Sequence, residues 1–251
     1  MQEGQYAQYP RPPKGEIDFG VISEAFQMVI KNPVPMMAAS FFGYFLPLCI
    51  TYAVTIYVEF QLGFFSPVAN QDPMVELEKM GKLYAVQFPM LIGQGIILAP
   101  FGYAITVMTL KLVRGESITF KDAFCGFPKF FQSLGGVVLP YILTTLAIVA
   151  CCIGAPIVGG LLMLTLPMMI DQNMSIGQAM STSFAKLRPH IWMAMLLFIC
   201  YAILSTLGAM ACLVGAIFTF PLYFIVPALV YRDFTAGTVQ VQAPRSDFNE
   251  S

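Results

Sequence analysis

Charge is missing from four long stretches of this chain. Residues 32–58, 83–110, 130–170 and 191–231 contain no Asp, Glu, Lys or Arg, and they are 27, 28, 41 and 41 residues long. Only 11% of the 251 residues are charged, whereas soluble domains carry roughly 25%. A soluble globular domain is thereby excluded, and an integral membrane protein is the class that remains. About 20 apolar residues cross the hydrocarbon core, so each of the two shorter runs is one long or tilted span. A single helix of 41 residues would be about 60 Å long, roughly twice the hydrocarbon thickness. The two longer runs must therefore fold back as hairpins. Gly154-Ala155-Pro156 is the expected turn of the first, and the second turns somewhere within residues 205–215. Six spans result.

Other scarcities narrow the chemistry. The chain has one histidine, His190, and one tryptophan, Trp192. No Ser-His-Asp or paired-carboxylate arrangement is legible, so no catalytic residue, metal or cofactor is expected and an intramembrane enzyme is the least favoured reading. Of six cysteines, Cys49, Cys151, Cys152, Cys200 and Cys212 lie inside apolar runs and Cys125 in a polar segment between spans. No disulfide framework is implied, and Cys151-Cys152 lacks a nearby His or acidic partner for a metal. They read as small core hydrophobes. No basic patch with interleaved aromatics points to nucleic acid. No span carries a central ionisable residue, which argues against a proton- or sodium-coupled carrier.

What is present repeats. Three amphipathic segments each precede a pair of spans. In Ile17–Lys31, Asp18 can cap the helix, and Ile22, Phe26, Val29 and Ile30 form the expected apolar face, with Ser23, Glu24, Gln27 and Lys31 opposite. Pro33 and Pro35 mark its end. In Lys111–Gln132, Thr119 and Asp122 stand at capping-box spacing. Phe120, Phe124, Phe127 and Phe131 make the stripe, with Lys121 and Lys129 off it. In Met174–Trp192, Ser175 and Gln178 form the capping pair, and Ile176, Met180, Phe184 and Leu187 share a face. Lys186 and Arg188 gather at the C-terminal end, where cations suit the helix dipole. Pro189 ends this helix or opens the next.

The segments align on one pattern: apolar, any residue, acidic or amide, Ala, large apolar. It reads Ile22-Ser23-Glu24-Ala25-Phe26, Phe120-Lys121-Asp122-Ala123-Phe124 and Ile176-Gly177-Gln178-Ala179-Met180. A lysine follows each Ala by six, six and seven residues: Lys31, Lys129 and Lys186. Pro100 precedes Lys111 by eleven residues, and Pro221 precedes Arg232 by eleven. The expected fold class is all-α: a polytopic membrane protein of six transmembrane helices, built as three repeats of an amphipathic surface helix plus a transmembrane hairpin. The repeats cover about 17–112, 117–171 and 174–232 of a single membrane domain, 17–234, and suggest a pseudo-threefold arrangement about the membrane normal. The first is longer because it holds the loop Glu59–Lys82, part of which, Met74–Leu83, could be a short surface helix. Polar segments 1–16 and 235–251 are expected to be disordered tails. Placing the N-terminus inside puts eleven Lys and Arg in the cytoplasm against Lys79 and Lys82 outside, the expected sign of asymmetry. Both termini are then cytoplasmic.

Asp171, Ala179, Ser183, Phe184, Arg188, His190 and Trp192, with Gly115–Phe131 and Ala228–Asp233, carry a resemblance that covers most of residues 17–234. The chain resembles bacterial six-span integral membrane proteins whose membrane domain is like that fused to some glycerophosphodiester phosphodiesterases. The resemblance implies a bacterial cytoplasmic (inner) membrane location. The phosphodiesterase catalytic domain is not in this sequence, so its activity does not carry over. One departure is Ile191-Trp192, where a more aromatic pair is expected.

The candidate sites are two. Lys121, Lys129, Lys186, Arg188 and His190 could meet lipid headgroups from surface helices lying at the inner leaflet, although the helices read first as anchors that collar the bundle and His190 reads first as an interfacial residue that tops a span. Gln87 and Gln94 share a face of the second span, close to Gly93, Gly95, Pro100 and Gly102. They read as helix-packing residues or as cavity-lining ones, with packing favoured. Prolines in five spans are ordinary for membrane helices. The expected function is a non-enzymatic, lipid- or partner-organising role as scaffold or accessory protein. The alternative is a transporter or channel for a small neutral or amphipathic solute. The partners expected are membrane lipids, anionic ones in particular, with a membrane-protein partner or a homo-oligomer as the other class.

Overall fold

The computed structural model describes residues 17–62, 73–150, 154–211 and 213–235. Among these the chain is all-helical, with no strand. The order is α1 (Gly20–Lys31), α2 (Pro33–Ser40), a π-helical turn (Phe41–Phe45), α3 (Leu46–Gln61), α4 (Pro73–Val113), a 3-10 turn (Phe120–Phe124), α5 (Phe130–Ala150), α6 (Gly154–Leu162), α7 (Thr165–Gln172), α8 (Ile176–Leu187), a 3-10 turn (Arg188–His190), α9 (Ile191–Ala211), α10 (Leu213–Thr219) and α11 (Leu222–Thr235).

Among the described residues, six helical stretches are long and apolar enough to cross a membrane: Pro33–Gln61, Leu77–Val113, Phe130–Ala147, Gly154–Gln172, Ile176–Gly208 and Ile217–Thr235. This is the architecture of a multi-pass membrane protein. The six divide into two classes. The second, fourth and sixth spans have 67%, 67% and 72% of their most apolar windows buried, against 11%, 11% and 17% for the first, third and fifth. The even spans pack on one another through α4, α7 and α11, and the odd spans pack around them. The central contact is apolar and close-packed, with Ile105, Met108, Leu164, Met168, Ile225 and Leu229 fully buried.

Helix breaks fall where sequence chemistry requires them. Pro167 has no N–H and its ring conflicts with the carbonyl four residues back, which belongs to Met163. The fourth span opens there, between α6 and α7. Ser183, fully buried on α8, fills that gap. Its hydroxyl donates to the Leu161 carbonyl at 2.6 Å and accepts the Leu164 N–H at 3.3 Å. Pro221 likewise separates α10 from α11. Close approach is bought by glycine at two crossings. A Cβ on Gly43 would lie 2.5 Å from the Phe101 Cβ, and one on Gly126 would lie 2.0 Å from the Pro100 carbonyl oxygen.

Four local readings change. First, α1 buries Val21, Glu24, Ala25, Met28 and Val29, while Ile30 is exposed. The buried face is rotated by about one residue from the expected one because α1 packs against α11, where a cation awaits Glu24. Second, the Phe120–Phe131 segment is a 3-10 turn followed by loose turns rather than a helix. Gly126 and Pro128 end it, and Phe131 already belongs to α5. Third, Gly154 opens α6, and residues 151–153 before it lie outside the described residues. Fourth, Met74–Leu83 is the start of the 41-residue α4, not a separate helix. The capping boxes at Thr119/Asp122 and Ser175/Gln178 are both formed, and the Asp18 carboxylate accepts the Gly20 N–H at 2.9 Å.

Candidate functional site: a charged collar and its basic rim

The even spans all end at the face that carries α1, the Phe120–Phe124 turn and α8. Charged groups concentrate there and sort into two populations.

The first is internal. Lys111, at the end of α4, bonds Asp122 at 2.6 Å. The other Asp122 oxygen accepts the Thr119 N–H at 2.7 Å and its hydroxyl at 2.9 Å. Burial opposes ionisation of Asp122, but Lys111 and Thr119 outweigh it and hold the carboxyl below its ordinary value. Arg232, near the end of α11, grips Glu24 of α1 with both terminal nitrogens, Nη1 on Oε1 and Nη2 on Oε2, the latter at 3.1 Å. Its Nε donates to Asp233 at 2.8 Å. Glu24, Arg232 and Asp233 are 7%, 6% and 5% exposed, so this is a desolvated ion group that is stable only while every charge is compensated. Arg114 pairs with Asp171 at the end of α7. The Tyr231 hydroxyl donates to the other Asp171 oxygen at 2.5 Å and accepts from Gln172 at 3.0 Å. Three consecutive residues of α11, Tyr231, Arg232 and Asp233, thus tie the fourth and sixth spans and α1 together. Buried Ala25, Ala123 and Ala179, all at 0% exposure, seat the three surface segments on the bundle.

The second population is the rim. Lys121 is exposed on the 3-10 turn, and Arg188 is exposed just after α8. Lys186 is half-buried in the last turn of α8, and Lys129 is half-buried before α5. His190 is half-buried and lies edge-on to Phe234 with ring centres 5.7 Å apart. Lys121, Lys186 and Arg188 make no ion pair with any described residue. Large apolar side chains stand exposed beside them: Phe120, Phe127 and Phe131 near the lysines of the turn, and Phe184 and Trp192 near the α8 cations. The predicted headgroup residues therefore form two groups on separate elements, one before the third span and one before the fifth.

Gln87 and Gln94 are half-exposed in α4, and neither hydrogen-bonds a described residue. A Cβ at Gly93 or Gly95 would meet no atom within 4 Å, so this stretch is loosely surrounded. The Cys125 thiol is pushed up to about 11, first by burial and then by Asp122. Among the described residues no group of His, Cys, Asp and Glu could hold a metal ion.

Sequence reading missed the internal population. Glu24 looks like a polar-face residue, and Arg232, Arg114 and Asp171 look like span terminators. The available signal was the aligned pattern itself: its acidic or amide position directly precedes an Ala, and that Ala is fully buried in all three segments. No family model, no curated protein and no solved structure matches this chain.

Proposed function

We propose that the protein is a non-enzymatic membrane scaffold that gathers anionic lipid at one face of the bilayer. The observation that carries this reading is the sorting of charge. Lys111, Arg114 and Arg232 are each paired with a carboxylate in the collar, whereas Lys121, Lys186 and Arg188 make no ion pair with a described residue and stand near exposed aromatic rings. Exposed cations flanked by apolar side chains at the start of spans suit an interface with anionic headgroups. The even spans meet through closely packed apolar side chains such as Ile105, Met108, Leu164, Met168, Ile225 and Leu229, which favours this role over the solute-transporter alternative.

In the same reading the chain is three units in a ring. Lys111 closes the end of the first unit on Asp122 of the second, and Arg232 closes the end of the third on Glu24 of the first. The even spans form the inner triangle. The rim faces the cytoplasm of a bacterial inner membrane, where positive charge is retained. The relationship to the membrane domain of glycerophosphodiester phosphodiesterases belongs to this proposal, and it is consistent with a domain that positions lipid without cleaving it.

The test is lipid retention. Protein extracted from a mixed membrane should carry an excess of anionic over zwitterionic phospholipid by native mass spectrometry, and Lys121→Gln/Lys186→Gln/Arg188→Gln should abolish that excess while leaving the fold intact. An unchanged excess in the triple variant would overturn the proposal.

A further inference from the structure

An aromatic column begins at the rim and climbs the first span. Phe120 meets Phe124 with ring centres 5.6 Å apart, Phe124 meets Phe42 at 5.8 Å, Phe42 meets Phe41 at 5.3 Å, and Phe41 stacks on Phe45 at 5.4 Å. Phe120, Phe42 and Phe41 are 51%, 37% and 36% exposed. The upper three rings belong to the π-helical turn, a deviation from α-helical geometry that is frequent at functional sites. Gly43 in that turn lets Phe101 approach from α4 and back the column. Phe124 is anchored from behind by Phe101 at 5.7 Å. The rings therefore form one contiguous surface that joins the second surface segment to the π-helical turn of the first span.

At the base of the column stands Lys121, one residue from Phe120, exposed and without an ion pair among the described residues. Its neighbour Lys111 is already held by Asp122, so the charge left over beside Phe120 is positive. The geometry points to a single bound phospholipid with an anionic headgroup. Its phosphate lies on Lys121, and one acyl chain lies along Phe120, Phe42 and Phe41. This rests on the lipid-gathering reading above but adds a defined site to it. The occupant is a lipid rather than a second copy of the chain, because the exposed rings belong to a membrane span and start beside a cation that no described carboxylate neutralises.

The site can be tested in the full chain reconstituted into nanodiscs with a phosphatidylglycerol that carries a photoreactive diazirine on one acyl chain. The same experiment uses a phosphatidylcholine probe. The expected result is labelling of Phe41–Phe45 and Phe120–Phe127 by the anionic probe about fivefold above the exposed Ile203 and Leu207 on α9, the preference that one basic residue near the surface supplies. Lys121→Gln should remove the preference for the anionic probe, and Phe120→Ala, at an exposed ring, should lower labelling by both probes. Uniform labelling of all outward faces, or equal labelling by the two probes in the unmodified protein, would overturn the inference. Those results would leave the retention assay at Lys186 and Arg188 to decide the broader reading by itself.

Discussion

The two halves of α4 have similar apolar compositions and very different surroundings. From Ala99 to Leu112, Ala99, Ala104, Ile105 and Met108 are fully buried and Phe101, Tyr103, Leu110 and Leu112 are nearly so. From Met74 to Ile97, Met74, Leu77, Tyr84 and Phe88 are all 60% exposed or more. The glycines follow the same division. A Cβ on Gly102 would strike the Phe224 ring at 2.5 Å, whereas Gly93 and Gly95 have open space. The buried half is the one that ends at the charged collar. Where Lys111, Arg114, Asp171, Arg232 and Glu24 lock the span ends, the even helices converge. Away from the collar the helices expose apolar side chains to the surroundings, which a membrane fills with lipid.

The largest effect that would break this contrast is removal of the buried guanidinium. Arg232→Met strands Glu24 as an uncompensated buried acid, and it should cost about 3–5 kcal/mol. Thermal unfolding in detergent reads this as a large drop in midpoint, and Glu24→Gln in the same chain should recover much of it. A drop no larger than that of exposed Lys82→Met would contradict the collar's role.

Glycine substitution sharpens the comparison within one helix. Gly102→Ala, and Gly126→Ala against the Pro100 carbonyl, should each cost about 1–3 kcal/mol through overpacking. Gly93→Ala and Gly95→Ala should stay within about 0.5 kcal/mol or gain slightly from helix propensity. Equal losses at all four positions would erase the distinction between the halves.

Ser183→Ala tests the broken fourth span. It leaves the Leu161 carbonyl and Leu164 N–H without their partner and should cost about 1–3 kcal/mol, whereas Thr145→Ala on the exposed face of α5 should change stability by less than about 0.5 kcal/mol. The smallest effect concerns pH. The carboxyl of Asp122 is lowered in the folded protein, so its contribution is present above the ordinary value of 3.8 and fades as pH falls below it through the folded value. Asp122→Asn should flatten that part of the stability profile, measured as unfolding midpoint against pH.

Much of the fold was legible because the bilayer imposes length and polarity on each span. Charge-free runs located all six, and capping boxes located the starts of two surface segments. The face of α1 was not legible. Its period admits either Ile22-Phe26-Ile30 or Val21-Ala25-Met28 as the inner side, and only the cation on α11, 208 residues away in sequence, selects the one that buries Glu24. The 3-10 form of the second segment was hidden for a related reason: phenylalanines at steps of four and three mimic a helix, while Gly126 and Pro128 end it. Of the candidate site, the outward cations were readable from their positions before spans. Their internal counterparts were not, since ion pairing across the bundle leaves no local pattern.

We propose that the collar end of the molecule, and not the far end, engages anionic lipid. The direct measurement compares two variants by native mass spectrometry after extraction from the same mixed membrane. Lys121→Gln/Lys186→Gln/Arg188→Gln alters the rim, and Lys79→Gln/Lys82→Gln alters the far end of α4. Loss of the anionic-lipid excess in the first variant and its retention in the second is the predicted result. The same loss in both, or in neither, would contradict the claim.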